Sequence, residues 1–364
     1  MEEEADWSEL PQELLNLISQ QFDNEIDLIR FRSICTNWHS SSIPNHHRNI
    51  LTIKFPLYID SITNKTPFSD LSKHGFFIIK SPPQSLIHPW LTKITQNSTG
   101  KIKHYLPFRR HSSPSPSPVF DFNNFSLIHL VTNFIYSRHN TEYALYGCVK
   151  PAKVVAATSY GNKPIIVASF NCKGEEQLVV FKCGDENWKF IPEMSVYFGD
   201  IRAFKGQCYV VDKTGQTVTV GPDDSTVQLV AESLLAGGDI KFLVESKGDL
   251  LLADVYNRDI DDYDYDRARI GRIDMFKLNE KEKKWVKLAN LGDRVLFLGS
   301  LCSFSASALD LCVPKGNCVI IMDDIFTCDP SMGYFLDLDD GRPLPLFDYP
   351  EYSKLFWPPP KWMV

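Results

Sequence analysis

The chain is 364 residues long with a formal net charge of −7, and 43% of its residues are hydrophobic and 12% aromatic. That length suggests two domains, or a small module joined to one large β architecture, with enough apolar material for a sizeable core. The acidic balance argues against a general nucleic-acid or anionic-membrane surface, and with neither a leader pattern nor a long apolar run the protein is expected in the cytoplasm or nucleus.

The chain opens, after a short acidic lead, with WSELPQELLNLISQQFDNEIDLIRFRSICTNWHS. Pro11 suits the first turn of a helix, where its missing N–H is not needed, and Leu14, Ile18 and Phe22 follow at helical spacing. A second helix is predicted after Asn24, a plausible N-cap, with Leu28, Phe31, Cys35 and Trp38 along one stripe. Two short helices cannot bury enough surface to stand alone, so they need the body or a partner to pack on. In this pairing, Leu10-Pro11, Glu13-Leu14-Leu15 and Ile18 followed by Leu28, Phe31-Arg32, Ile34-Cys35 and Trp38, the stretch over residues 6–48 resembles an F-box. F-boxes are the modules by which substrate receptors attach to the adaptor Skp1 in Skp1–cullin–F-box ubiquitin ligases. The resemblance implies that Leu10, Pro11, Leu14, Leu15, Ile18, Leu28, Ile34, Cys35 and Trp38 form the Skp1-binding face.

After Pro44 the composition changes. Apart from HPWLTKITQ at 88–96, which keeps a helical rhythm, the chain becomes short β-rich runs separated by Gly, Asp, Asn and Lys turns. RRHSSPSPSPVFDF, containing the segment 109–119, reads as an exposed loop because its prolines forbid helix and central strand. There Ser113, Ser115 and Ser117 each precede a proline, the context of proline-directed kinases, and are candidate phosphorylation sites beside Arg109 and Arg110.

The body repeats. KGQCYVVD at 205–212 and KGDLLLAD at 247–254 start 42 residues apart, the spacing of a four-stranded propeller blade; KGNCVIIMD at 315–323 is a third copy, 68 residues further on. A second echo carries Trp188 and Trp285 in similar hairpins 97 residues apart, close to two blades. At the ~40–50-residue period of such blades, the residues from 50 to 364 give six to seven four-stranded blades. A β-sandwich would not produce a motif recurring at blade spacing, so the fold class read here is a small all-α module followed by an all-β propeller. Together with the ending YFLDLDDGRPLPLFDYPEYSKLFWPPPKWM, this organisation is similar to plant F-box proteins with a KIB-type β-propeller. In such a ring Trp357 and Trp362 are expected to pack on a blade and close it.

Catalysis is poorly provided for. All nine histidines lie at or before position 139, and none of the common nucleophile-elbow, zinc-protease or phosphate-loop motifs occurs. The nine cysteines never form a Cys-x-x-Cys pair and mostly sit in apolar runs, as reduced small hydrophobes do. Asp262, Asp264 and Asp266 mimic the start of a calcium loop, but Arg267 and Ile273 stand where that loop needs Gly and Glu. We read the acidic segment 254–269 as a solvated loop whose Tyr256, Asp261, Asp262, Tyr263, Asp264 and Tyr265 could meet a basic partner. No cofactor and no metal is expected. The implied activity is recruitment: Skp1 and, through it, cullin at one end, and an unknown protein target on the propeller loops. The alternatives are an F-box and Skp1 scaffold outside any ligase, and a ligand-binding propeller with a helical cap.

Overall fold

In a computed structural model the described residues are 6–22, 25–42, 54–56, 68–80, 88–96, 102–105, 126–136, 151–157, 165–172, 175–182, 185, 187–191, 194, 199–221, 227–235, 237–257, 270–299, 302–322 and 333–356. The Ser-Pro loop at 109–119, most of the acidic loop, and Trp357 and Trp362 lie outside them.

The helical start holds three helices: α1 (Gln12–Ser19), α2 (Glu25–Arg32) and α3 (Thr36–Ser41). The single second helix expected from the stripe 28–38 is therefore two. Ser33 turns its hydroxyl onto the Arg30 carbonyl at 2.7 Å, competing with helix continuation, and Cys35 is extended at φ −160° as the N-cap of α3.

The remainder is β. The first sheet joins β1 (Lys54–Pro56), β2 (Phe68–Lys80), β3 (Trp90–Gln96), β4 (Ile102–Tyr105) and β5 (Ser126–Tyr136). HPWLTKITQ is thus strand β3 and not a helix; its alternate residues Trp90, Thr92 and Ile94 are buried, as are Leu91 and Lys93, and a strand covered on both faces loses the polar-apolar alternation that would mark it. Three four-stranded antiparallel sheets follow. They are β6 (Pro151–Ala157), β7 (Ile165–Cys172), β8 (Glu175–Lys182) and β9 (Lys189–Phe190); β10 (Asp200–Phe204), β11 (Gln207–Val211), β12 (Thr217–Val220) and β13 (Val227–Ala231); and β14 (Ile240–Ser246), β15 (Asp249–Asn257), β16 (Ile270–Asn279) and β17 (Lys284–Lys287). The last sheet contains β18 (Arg294–Leu298), β19 (Phe304–Ser307), β20 (Cys318–Ile321), β21 (Tyr334–Asp337) and β22 (Pro343–Pro345), with helix α4 (Ala308–Leu311) between β19 and β20 and α5 (Pro350–Ser353) after it.

One strand of each sheet touches its counterpart in the next: β5 meets β6, β6 meets β10, β10 meets β14, β14 meets β19, and β19 returns to β5. The sheets therefore form a closed ring of propeller-like blades, five among the described residues where the repeat period had given six to seven. The first sheet alone spans residues 54–136, about twice the 42-residue interval between the first two repeats, and the last spans 294–345. Apolar side chains fill the wedges between neighbouring sheets: Val167 and Val210 between the second and third, Tyr209 and Leu252 between the third and fourth, and Leu251 and Val319 between the fourth and fifth.

The first two Lys-Gly copies are equivalent hairpin turns in adjacent sheets. Lys205-Gly206 and Lys247-Gly248 have φ of 48° and 78°, and 52° and 78°, the left-handed pair that a two-residue turn requires. The third copy is different. After Gly316, β20 runs parallel to β18, and a Cβ on Gly316 would lie 2.3 Å from the backbone of Asp293, so this glycine serves a close crossing and not a hairpin. Trp188 and Trp285, by contrast, are both buried in outer hairpins two sheets apart, and Trp285 donates its Nε1–H to the Gly215 carbonyl of the preceding sheet at 3.0 Å.

The ring is tied together by polar groups of the inner strands. Asp200 pairs with Lys153, and its carboxylate accepts the backbone N–H of Ile201 and of Leu243, each at 2.8 Å. Two residues on, Arg202 donates to the Ser303 carbonyl at 2.6 Å, so β10 is linked to three other sheets. The joint between the first and last sheets is apolar, with Phe76, Ile78 and Leu91 packed with Phe297, Phe304, Phe335, Tyr352 and Leu355.

Candidate functional site

The helical start builds its outer surface from a small interior. Asp6 caps the turn Trp7–Glu9 by accepting the Ser8 N–H at 2.9 Å and its hydroxyl at 2.7 Å; the side-chain bond first, then the backbone bond, hold the Asp6 carboxyl below its usual range. Leu10 and Pro11 are extended, and α1 begins at once behind the proline. From α3, Asn37 donates to the carbonyls of Ser8 (2.8 Å) and Leu10 (3.2 Å), and Trp38 donates its indole N–H to Trp7 O at 2.9 Å. α3 therefore pins the segment carrying Leu10 and Pro11 across the start of α1. Inside, Leu15, Leu28 and Phe31 are buried, with the Phe31 ring in tilted contact with Phe22 (5.4 Å) and Trp38 (4.5 Å).

This interior leaves several apolar side chains in solvent. Trp7 is 68% exposed, Leu14 47%, Leu17 57%, Ile18 41% and Ile34 57%, and Pro11 is exposed beside them. The stripe predicted from Leu14 and Ile18 is thus the outward face of α1, while the inward face is Leu15 and Ser19. Of the nine residues expected to bind a partner, Pro11, Leu14, Ile18 and Ile34 are exposed, and Leu10, Cys35 and Trp38 are half-buried. Leu15 and Leu28 are interior residues that hold the helices and are not themselves accessible. Sequence reasoning passed over Trp7 and Leu17. Leu17 lies i+3 from Leu14, so helical spacing could have found it, whereas Trp7 precedes α1 and carries no periodic signal.

The acidic segment splits in two. Asp254 is not in a solvated loop: it lies within β15, wholly buried, and pairs with the equally buried Lys241 at 2.6 Å while accepting the Gly238 N–H at 2.9 Å. Tyr256 lies near the end of the same strand with its ring 4.1 Å from the Arg272 guanidinium; burial, above all, raises its hydroxyl pKa. Asp261, Asp262, Tyr263, Asp264 and Tyr265 are outside the described residues, as are Ser113, Ser115 and Ser117.

Three of the described thiols are buried and poor nucleophiles. Burial pushes Cys208 and Cys318 up to about 12 and Cys302 up to about 11, so they stay protonated near neutrality. Among the described residues no group of three or more His, Cys, Asp or Glu side chains could hold a metal ion, and no helix is long and apolar enough to cross a membrane.

A family model described as KIB1-4 beta-propeller matches residues 62–341, most of the ring. The chain belongs to this family. Among relatives of this KIB1-4 propeller protein, "F-box protein SKIP23" of Arabidopsis thaliana is 32% identical over 99% of this chain and 96% of its own length. "F-box protein At2g17036" of the same plant is 29% identical over 99% of this chain and 95% of its own. Both matches run through the helical start as well as the ring. Among solved structures, a cobalt-substituted apocarotenoid oxygenase from Synechocystis has a TM-score of 0.31 and 11% identity over 80% of this chain and 81% of that one, too distant to carry an argument.

Proposed function

We propose that this KIB1-4 propeller protein is the substrate-recognition subunit of a Skp1–cullin–F-box ubiquitin ligase. Residues 6–48 act as the F-box and dock on Skp1, and residues 50–364 recruit a target protein, in the cytoplasm or nucleus. The observation that carries this reading is the exposed apolar set Trp7, Pro11, Leu14, Leu17, Ile18 and Ile34 on a helical module with an interior of its own. A Leu- or Ile-sized side chain contributes about 1.5–3 kcal/mol when fully covered, so a partner that covers several of these gains a stable contact. The plant relatives named as F-box proteins, aligned over almost the whole chain, support the same reading.

The chemistry is proximity. The receptor holds target lysines near a ubiquitin-loaded enzyme and so raises their effective concentration; it makes and breaks no bond itself. The test is co-purification of the full chain with Skp1 and cullin, beside a variant carrying Leu14→Asp and Ile18→Asp, both exposed. Retention of Skp1 and cullin by the wild type and loss of both by the variant, with an unchanged circular dichroism spectrum, is the expected outcome. A variant that still captures Skp1 would overturn the assignment of this face.

A further inference from the structure

A groove of about 550 Å³ opens between the third and fourth sheets, at the end of the ring where the β10–β11, β14–β15 and β16–β17 turns lie. Its floor is apolar, formed by Phe204, Leu250 and Leu278, with Val286 exposed at the edge. Its rim is charged, and the two signs differ in how they are satisfied. Of the two carboxylates that line it, Asp249 holds Lys277 at 2.7 Å and Glu280 accepts the Tyr209 hydroxyl at 3.1 Å, while on the turns beside it Glu282 pairs with Lys284 and Lys247 with Asp293 at 2.6 Å. Lys205 and Lys281 on the rim, and Lys283 on the same turn as Lys281, are exposed and meet no carboxylate among the described residues. Lys205 instead lies over the Phe204 ring, 4.8 Å from its centroid.

Lys205 and Lys283 sit at φ of 48° and 49°, a region in which Gly or Asn is less strained and a long side chain is uncommon. Lys247 has the same conformation at φ 52° with its ammonium held by Asp293, so the turn itself sets this backbone and the case for the groove rests on its charges and apolar floor. In a chain of net charge −7 the groove is a local excess of unpaired positive charge over an apolar floor.

We propose that this groove receives an acidic, extended peptide segment of the recruited protein, its carboxylates meeting Lys205, Lys281 and Lys283 and one apolar side chain seating over Leu250 and Leu278. The proposal rests on the reading that the ring recruits a target, and it names the chemistry of that target's docking segment.

The experiment uses the full chain and a fluorescein-labelled peptide of glutamates flanking one leucine, followed by fluorescence anisotropy at low and physiological salt. Controls replace the glutamates by lysine, or the leucine by alanine. The expected result is binding of the acidic peptide alone, weakened by salt, by loss of the leucine, and roughly tenfold or more by Lys205→Glu with Lys281→Glu and Lys283→Glu. Val286→Asp, at the exposed edge of the floor, should weaken it as well. Equal binding of acidic and basic peptides, no binding of the acidic one, or an unaffected triple variant would each overturn the proposal. Skp1 capture by the same preparation separates the two claims: capture without peptide binding removes the groove alone, and peptide binding without capture removes the ligase reading alone.

Discussion

Lys241 and Asp254 are the most deeply buried ion pair among the described residues. Both side chains are fully buried and 2.6 Å apart, so removing one leaves a charge in a dry interior. Lys241→Ala should lower the unfolding free energy by about 3–5 kcal/mol in a urea titration, and Lys241→Met with Asp254→Leu should recover part of that loss. His74 gives the pH dependence. Its Nδ1 is buried without a partner among the described residues, and burial first, then nearby Lys93, push its pKa down to about 3. The unfolded chain therefore binds a proton below about pH 6.5 that the folded chain refuses, and stability falls from there toward pH 3. Thermal melting should show a loss of roughly 1–2 kcal/mol at pH 5 that His74→Phe abolishes; a variant melting with the same pH profile would refute this.

At the scale of elements, legibility followed local physics. The β10–β11 and β14–β15 hairpins could be read from Lys-Gly before an apolar run because two consecutive positive-φ residues define the turn. The same dipeptide at Lys315-Gly316 misled, since whether a chain turns back or crosses over is decided by what lies beside it, here the backbone of Asp293. Asp254 reads as part of the acidic loop because it looks like its neighbours in sequence, while its partner Lys241 sits on a different strand. Leu14 and Ile18 were identified as a stripe, but a stripe does not say whether it faces in or out; Leu15 taking the interior settled that. The turn lysines also allow a stability test. Lys205→Asn, relieving the left-handed strain, should raise stability by about 0.5–1 kcal/mol while weakening the acidic-peptide contact, an opposition that a purely structural lysine would not give.

At the scale of the molecule, a ring must join its first sheet to its last. Chain connectivity cannot do this, so packing does: Leu91 donates its N–H to the Leu355 carbonyl at 3.0 Å, Lys80 reaches Asp310 at 3.0 Å, and Tyr352 and Leu355 seal the apolar joint. A chain ending at Lys354 loses Leu355 and Phe356 from that joint and should unfold at least several degrees lower; identical melting would exclude this segment from closure. The number of sheets was not legible because their chain lengths are uneven, with β2 alone 13 residues long. The closed ring leaves the helical start with its own interior and an unpartnered apolar face, which is the basis of the functional reading. The most direct measurement is light scattering of the full-length protein mixed with Skp1 on a sizing column. We expect a single one-to-one complex, lost when Leu14 and Ile18 are both changed to Asp; two separate peaks from folded wild-type protein and Skp1 would contradict the account.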